Sequence, residues 1–182
     1  MNTKSTEKNL TKVVTNRVTL DYPRLIKPKA NKNFPDSEPK YGATIIIPKN
    51  DVENIEKINR AINAVIDSGC FTDVNDIKLP LKDGDEIHPG ETLYKNSMYL
   101  YASSSFKPYL VDNKVQEIKF RMNEFQGGTY AKVCMQFEHY NYNGIKGIKA
   151  ELISVQILSG NKLLESRSKP EDDFEVEEVE ED

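Results

Sequence analysis

The chain has 182 residues and a mass of 20.8 kDa, with 37% hydrophobic and 30% charged residues, which is one domain's worth of sequence with enough apolar content for a core. No run approaches the ~18 consecutive apolar residues of a membrane span, and the N-terminal MNTKSTEKNLTK lacks the apolar stretch of a signal peptide, so a cytoplasmic protein is expected. The two cysteines, Cys70 and Cys134, stand far apart and outside any CxxC arrangement, which argues for two buried thiols and against a structural zinc site.

Residues 1–11 are polar and read as a flexible N-terminus. Lys12–Leu20 then alternates Val14, Val18 and Leu20 against Thr15, Arg17 and Thr19, the period of a strand. Residues 21–40, with Pro23, Pro28, Pro35 and Pro39, read as a loop or short hairpin, and Tyr41–Ile47 as a strand buried on both faces. A helix is expected over Asp51–Asp67, capped by Asn50 or Asp51. Ile55, Ile58, Ile62, Val65 and Ile66 recur in it at helical spacing, and Gly69 stops it. Residues 71–96 form a connection dense in Asp, Gly, Pro and Lys, longer than the about 12–15 residues beyond which connections are usually functional or mobile.

The strand period then returns. Met98–Ser104 sets Met98, Leu100 and Ala102 against Tyr99 and Tyr101, and short strands are expected at Lys107–Val111 and Val115–Arg121. Gly127-Gly128 marks a turn. Tyr130–His139 alternates Ala131, Val133, Met135 and Phe137 against Tyr130, Lys132, Cys134 and Gln136. Asn143-Gly144 is a hairpin signal, and in Gly147–Leu158 the apolar phase switches between Leu152 and Ile153, which predicts a β-bulge or a bend. Strands, one helix and more strands without βαβ alternation give a mainly β, α+β chain: a five-stranded Greek-key barrel of OB type over 12–165 with a disordered acidic tail at 166–182.

The formal charge of −4 conceals an asymmetry. Residues 170–182 hold nine acids and no base, residues 1–40 hold nine bases against four acids, and residues 41–169 balance at sixteen each. This is the footprint of a polyanion binder with an anionic tail.

Catalytic signatures are missing: the histidines are only His88 and His139, and there is no GxSxG, HExxH or Walker A motif. Asp83, Asp85 and Glu86 with His88 and Glu91 could ligate Mg²⁺, yet KDGDE is ordinary turn composition. Neither an enzyme nor a bound metal or cofactor is expected. Aromatic residues interleaved with bases are more informative, because eleven of the sixteen Tyr and Phe lie between Tyr94 and Tyr142. Phe137 shares the core face. Tyr99, Tyr101, Tyr130 and Lys132 lie on the opposite one, where they either carry a second layer or stack on bases, at about 1–3 kcal/mol per contact. Tyr140, Tyr142, Lys146 and Lys149 flank the hairpin, and Arg24, Lys27, Lys29 and Lys32 form a base-only run suited to phosphates. Unpaired nucleic acid is the ligand these parts imply, and RNA is the alternative on the same fold.

The stretches PKYGATIIIPKNDVENIEKINRAINAVIDSG, YLYASSSFKPYLVD and GGTYAKVCMQFEHYNYNGIKGIKAELISVQIL, in this order, resemble a phage single-stranded DNA-binding protein family over residues 12–174. The resemblance implies an OB-fold and non-specific coating of single-stranded DNA in phage replication, recombination or repair, in the cytoplasm of the infected host. It places HYNYNGIKGIKA near the DNA. Glu171, Asp172, Asp173 and Phe174 would form the tail that meets a phage DNA polymerase, helicase or recombinase.

Overall fold

The computed structural model describes residues 10–119 and 121–159. The strands are β1 (Lys12–Val14), β2 (Val18–Lys29), β3 (Lys40–Pro48), β4 (Lys82–Asp83), β5 (Ser97–Ser104), β6 (Tyr109–Val111), β7 (Thr129–Tyr142) and β8 (Ile145–Ser159). The helices are α1 (Val52–Asp67) and a single turn, α2 (Gly84–Ile87). The expected acidic tail at 166–182, like residues 1–9 of the expected N-terminal segment, lies outside the described residues.

Five strands close on themselves in the order β2-β3-β5-β8-β7, with β7 pairing back to β2. All pairings in this ring are antiparallel except β5 with β8. This is the Greek-key, OB-like arrangement expected. Leu20, Ile45, Leu100, Met135, Phe137 and Val155 fill its interior. α1 adds Ile58, Ala61, Ile62 and Val65 to the same core, each worth roughly 1.5–3 kcal/mol of burial for the larger side chains. Asp51 caps the helix by accepting from Asn54 N at 3.2 Å, and buried Asn54 accepts from Asn16 N at 2.8 Å, tying the helix start to the β1–β2 turn.

The turn chemistry follows the sequence. Asn143 and Gly144 have φ of 49° and 83°, both positive as a two-residue hairpin turn with the twist of its strands requires. Cys134 pairs with Ser154 and Met135 with Leu152, so Ile153 is the extra residue of a bulge where the apolar phase switches.

Other expectations are corrected. Lys12–Leu20 is two strands, because Thr15 turns inward and its Oγ1 accepts from Val133 N at 3.0 Å. Residues 21–29 are not loop: β2 runs through Pro23 and Pro28, tolerated because its register with β3 is irregular there. In place of a ladder, the Glu124 carboxylate accepts from Leu25 N, Ile26 N and Lys27 N at 2.9, 2.7 and 2.6 Å. Val115–Arg121 forms no strand among its described residues, only a bridge from Val111 to Glu117, since Val115 has φ of 61°. Lys107 and Pro108 precede β6 rather than belong to it. Both thiols are half-buried rather than buried.

Candidate nucleic-acid interface

β5 and β8 are paired only at Ala102–Ala150 and Ser103–Glu151, and before these pairs the two strands are not directly hydrogen-bonded. There the segment after α1 lies between them. Lys78 N donates to Lys146 O and Lys78 O accepts from Ile148 N, both at 2.9 Å, while Lys82 pairs with Tyr99. Residues 78–82 thus form a strap between the two strands.

Above it lies a cleft of about 430 Å³ lined by Tyr99, Tyr101 and Tyr140, by Lys78, Lys82 and Lys149, and by the apolar Leu79, Pro80 and Ile148. Two of the rings rest on glycines. A Cβ at Gly42 would lie 2.6 Å from the Tyr101 hydroxyl, and one at Gly147 would lie 2.7 Å from that of Tyr140, so both rings lie against backbone that has no side chain to lift them. Arg24 pairs with Gly42 across β2–β3, one row from Tyr101, and its Nη1 donates to Pro23 O at 3.2 Å. Burial pushes the Tyr101 hydroxyl up from its ordinary pKa, and the Arg24 charge opposes this.

Tyr99 is held differently. It meets Tyr94 edge-on with ring centroids 5.3 Å apart and His88 at 5.1 Å, and His88 stacks on Tyr94 at 4.1 Å. Tyr94 is buried and donates to Asp21 Oδ2 at 2.8 Å. Its hydroxyl is pushed far above the usual tyrosine range, first by burial and then by the Asp21 carboxylate. Segment 84–97 therefore braces the Ile46–Tyr99 row of the β2–β3–β5 outer face and reaches Asp21 at the β2 edge of the next row. The half with Tyr101, Gly42 and Arg24 stays open.

Of the residues singled out from sequence, Tyr99, Tyr101, Tyr140 and Lys149 line one cleft with Arg24 beside it. Tyr142, 68% exposed, and Lys146 stand at its hairpin end, and Lys29 and Lys32 lie at the start of the β2–β3 loop. Lys27 is exposed, its backbone bound by Glu124. Tyr130 and Lys132 are brought elsewhere. They lie near the other end of β7, about 30 Å along the strand from Tyr140 at ~3.4 Å per residue, and the Arg17 guanidinium sits 4.9 Å over the Tyr130 ring. Lys149 is also 3.8 Å from Glu138.

Sequence reasoning missed Lys78 and Lys82. Their signal was KLPLK, in which a lysine at each end and a single central proline mark an extended basic strap. It also missed the exposed Phe34 of the β2–β3 loop. Of the acids weighed for Mg²⁺, Asp83 and Asp85 are instead neutralised by a lysine, with Lys49 Nζ 2.8 Å from Asp83 and 2.7 Å from Asp85. Among the described residues no three His, Cys, Asp or Glu converge on a metal site, and no helix is long and apolar enough to cross a membrane.

The outer face of the second and third ring strands, with the loops joining the first to the second and the fourth to the fifth, is where OB-folds take oligonucleotides. Here those are β3, β5 and the loops carrying Lys32 and Asn143-Gly144. A family model described as the single-stranded DNA-binding protein of Enterobacter phage Enc34 matches residues 11–182. The chain belongs to that family. Protein p50 of Acyrthosiphon pisum secondary endosymbiont phage 1 is 29% identical over 159 residues, covering 80% of this chain and 82% of that protein. The Enc34 protein solved in complex with single-stranded DNA is 21% identical with a TM-score of 0.72, covering 84% of this chain and 88% of its own. The single-stranded DNA-binding protein gp2.5 of bacteriophage T7 is 14% identical with a TM-score of 0.60, covering 91% and 98%. These structures share the fold. The family match runs through the acidic segment as well as the ring.

Proposed function

We propose that this protein binds single-stranded DNA across the open half of the β3–β5 face, coating and protecting it without sequence preference in phage replication, recombination or repair. The observation that carries the reading is the cleft in which Tyr99, Tyr101 and Tyr140 meet Lys78, Lys82 and Lys149. Rings accept any unpaired base by stacking, lysines take the phosphates, and neither needs a particular sequence. Arg24, Lys27, Lys29 and Lys32 extend the phosphate path along β2 into its loop, and Tyr142 and Lys146 close it at the hairpin. Tyr130 and Lys132 would meet only a strand long enough to follow β7. The protein acts by binding alone, as a domain over 12–165.

The acidic segment 166–182 is proposed to compete with DNA for this basic face when the protein is free. Once displaced, Glu171, Asp172, Asp173 and Phe174 recruit a phage polymerase, helicase or recombinase. A tethered anion acts at an effective concentration around millimolar, so weak contacts suffice. The test is competition among matched single-stranded DNA, single-stranded RNA and duplex at several salt concentrations, with full-length protein and one lacking 170–182. Single-stranded DNA should win, and the truncation should bind more tightly at low salt. Equal binding of RNA would make this a general nucleic-acid chaperone. Equal binding of duplex would reject the stacking cleft, and equal affinity of the two chains would reject self-competition.

A further inference from the structure

Bulky residues seldom adopt positive φ, and a non-glycine that does so reflects a constraint imposed by its surroundings. Tyr22 has φ of 44° and is 64% exposed. It sits in a bulge. Asp21 pairs with Thr44 and Arg24 with Gly42, so Tyr22 and Pro23 together oppose Ala43 alone. Bulges of this kind re-aim side chains.

This one is clamped from both ends. Asp21 Oδ1 accepts from Tyr22 N at 3.0 Å, and its Oδ2 is held by the Tyr94 hydroxyl at 2.8 Å. Gly127 packs so closely that a Cβ there would come within 2.6 Å of Asp21 Oδ1. Beyond the bulge, Glu124 binds the N–H groups of Leu25, Ile26 and Lys27. Two carboxylates, a buried tyrosine and a glycine contact thus fix a conformation unfavourable to the residue that occupies it, and that residue's ring is spent on no core contact.

The bulge also lies between two rows of the outer face: the row Asp21–Thr44–Tyr101 and the row Arg24–Gly42–Ser103. Of the two bulged residues Pro23 is buried and Tyr22 is exposed, so it is the tyrosine ring that the bulge turns to solvent. An exposed aromatic therefore stands two residues from Arg24, itself one row from Tyr101.

We infer that Tyr22 is a base-stacking residue, presented by the Asp21–Arg24 bulge, that carries the nucleic-acid path from the β5 cleft across β2. This rests on the proposed binding of single-stranded DNA. Chemically the ligand is an unpaired base whose flanking phosphate meets Arg24.

The test measures affinity for a length series of oligo-dT, together with thermal stability, in the native protein, Tyr22→Gly and Tyr22→Phe. Glycine removes the ring and relieves the positive φ. The glycine variant should melt no lower than the native protein, yet bind long oligomers roughly five- to a hundred-fold more weakly. Oligomers short enough to fill only the β5 cleft should be unaffected, and phenylalanine should restore native affinity. Native-like binding by the glycine variant at every length would overturn the inference while leaving the single-stranded DNA reading intact, and so would a fall in affinity that only tracks a lower melting temperature. Tyr101→Ala is the reference: if neither it nor Tyr22→Gly weakens binding, the cleft reading itself has failed.

Discussion

Tyr99 and Tyr101 are two residues apart on one strand and point to the same side of it, yet they have different surroundings. Tyr99 is half-buried and wedged edge-on against Tyr94 and His88, under a segment that arrives from before the strand. Tyr101 lies over Gly42 and keeps 52% of its surface exposed. Period 2 fixes which side of a sheet a residue takes. It does not fix what covers that side, which here depends on residues 84–97. The two rings line one cleft in different roles, Tyr99 as a braced wall and Tyr101 as an open platform.

The largest effect should come from a third aromatic, on the inward side. Phe137 is 1% exposed inside the ring, so Phe137→Ala should cost about 3–5 kcal/mol of stability. Denaturant unfolding checks this. The folded fraction should bind oligo-dT as the native protein does.

Next, Tyr101→Ala should cost about 1–3 kcal/mol of single-stranded DNA affinity with little change in stability. Tyr99→Ala should lower both, since it also removes two edge-on ring contacts worth about 0.5–1.5 kcal/mol each. Paired titrations and melts separate the two roles. If Tyr99→Ala melts like the native protein, the bracing by Tyr94 and His88 contributes nothing.

The strap gives a smaller, electrostatic effect. Replacing Lys78 and Lys82 by Ala should flatten the plot of log affinity against log salt by about 0.7 for each phosphate no longer neutralised, without changing base preference. The same pair of changes at Lys114 and Lys119, exposed on the segment after β6, should leave the slope unchanged.

Much of this was legible in the sequence because the signals were local. Asn143-Gly144 demands two positive φ values, Asn50 or Asp51 a helix start, and the phase switch at Ile153 a bulge or a bend. What escaped depends on long-range partners. Proline-rich residues 21–29 looked like loop because the groups that satisfy their backbone, Glu124 above all, lie about a hundred positions away. Tyr130, in the strand alternation, and Tyr140, at the hairpin, are separated by the length of β7, and only Tyr140 meets the strap. Tyr22 gave no periodic signal, since a bulge is a break in period.

The smallest expected effect concerns what holds the covering segment down. Lys49 draws Asp83 and Asp85 together, and its hydrogen bonds are the leading cause that holds both carboxyls below the ordinary value of 3.8. Asp85 also accepts from Asn96 N at 3.0 Å, and Asp83 caps α2 through Asp85 N at 2.9 Å, so the same two groups pin both ends of the segment lying over Tyr99. A carboxyl with a depressed folded-state pKa contributes stability that is fully present above its ordinary pKa and disappears as pH falls through the lower folded value. Segment 82–97 should therefore exchange its amide hydrogens faster only in strongly acidic solution, below 3.8, and keep its protection from there to neutrality. Both carboxylates are at the surface, so salt should weaken the contribution. Lys49→Met should remove much of the acid dependence by loosening the segment at every pH, and it should affect Tyr99 before Tyr101, because only Tyr99 lies under the pinned segment. Equal loosening around both tyrosines would show that the covered and open halves of the face are one unit, and the contrast between them would fail.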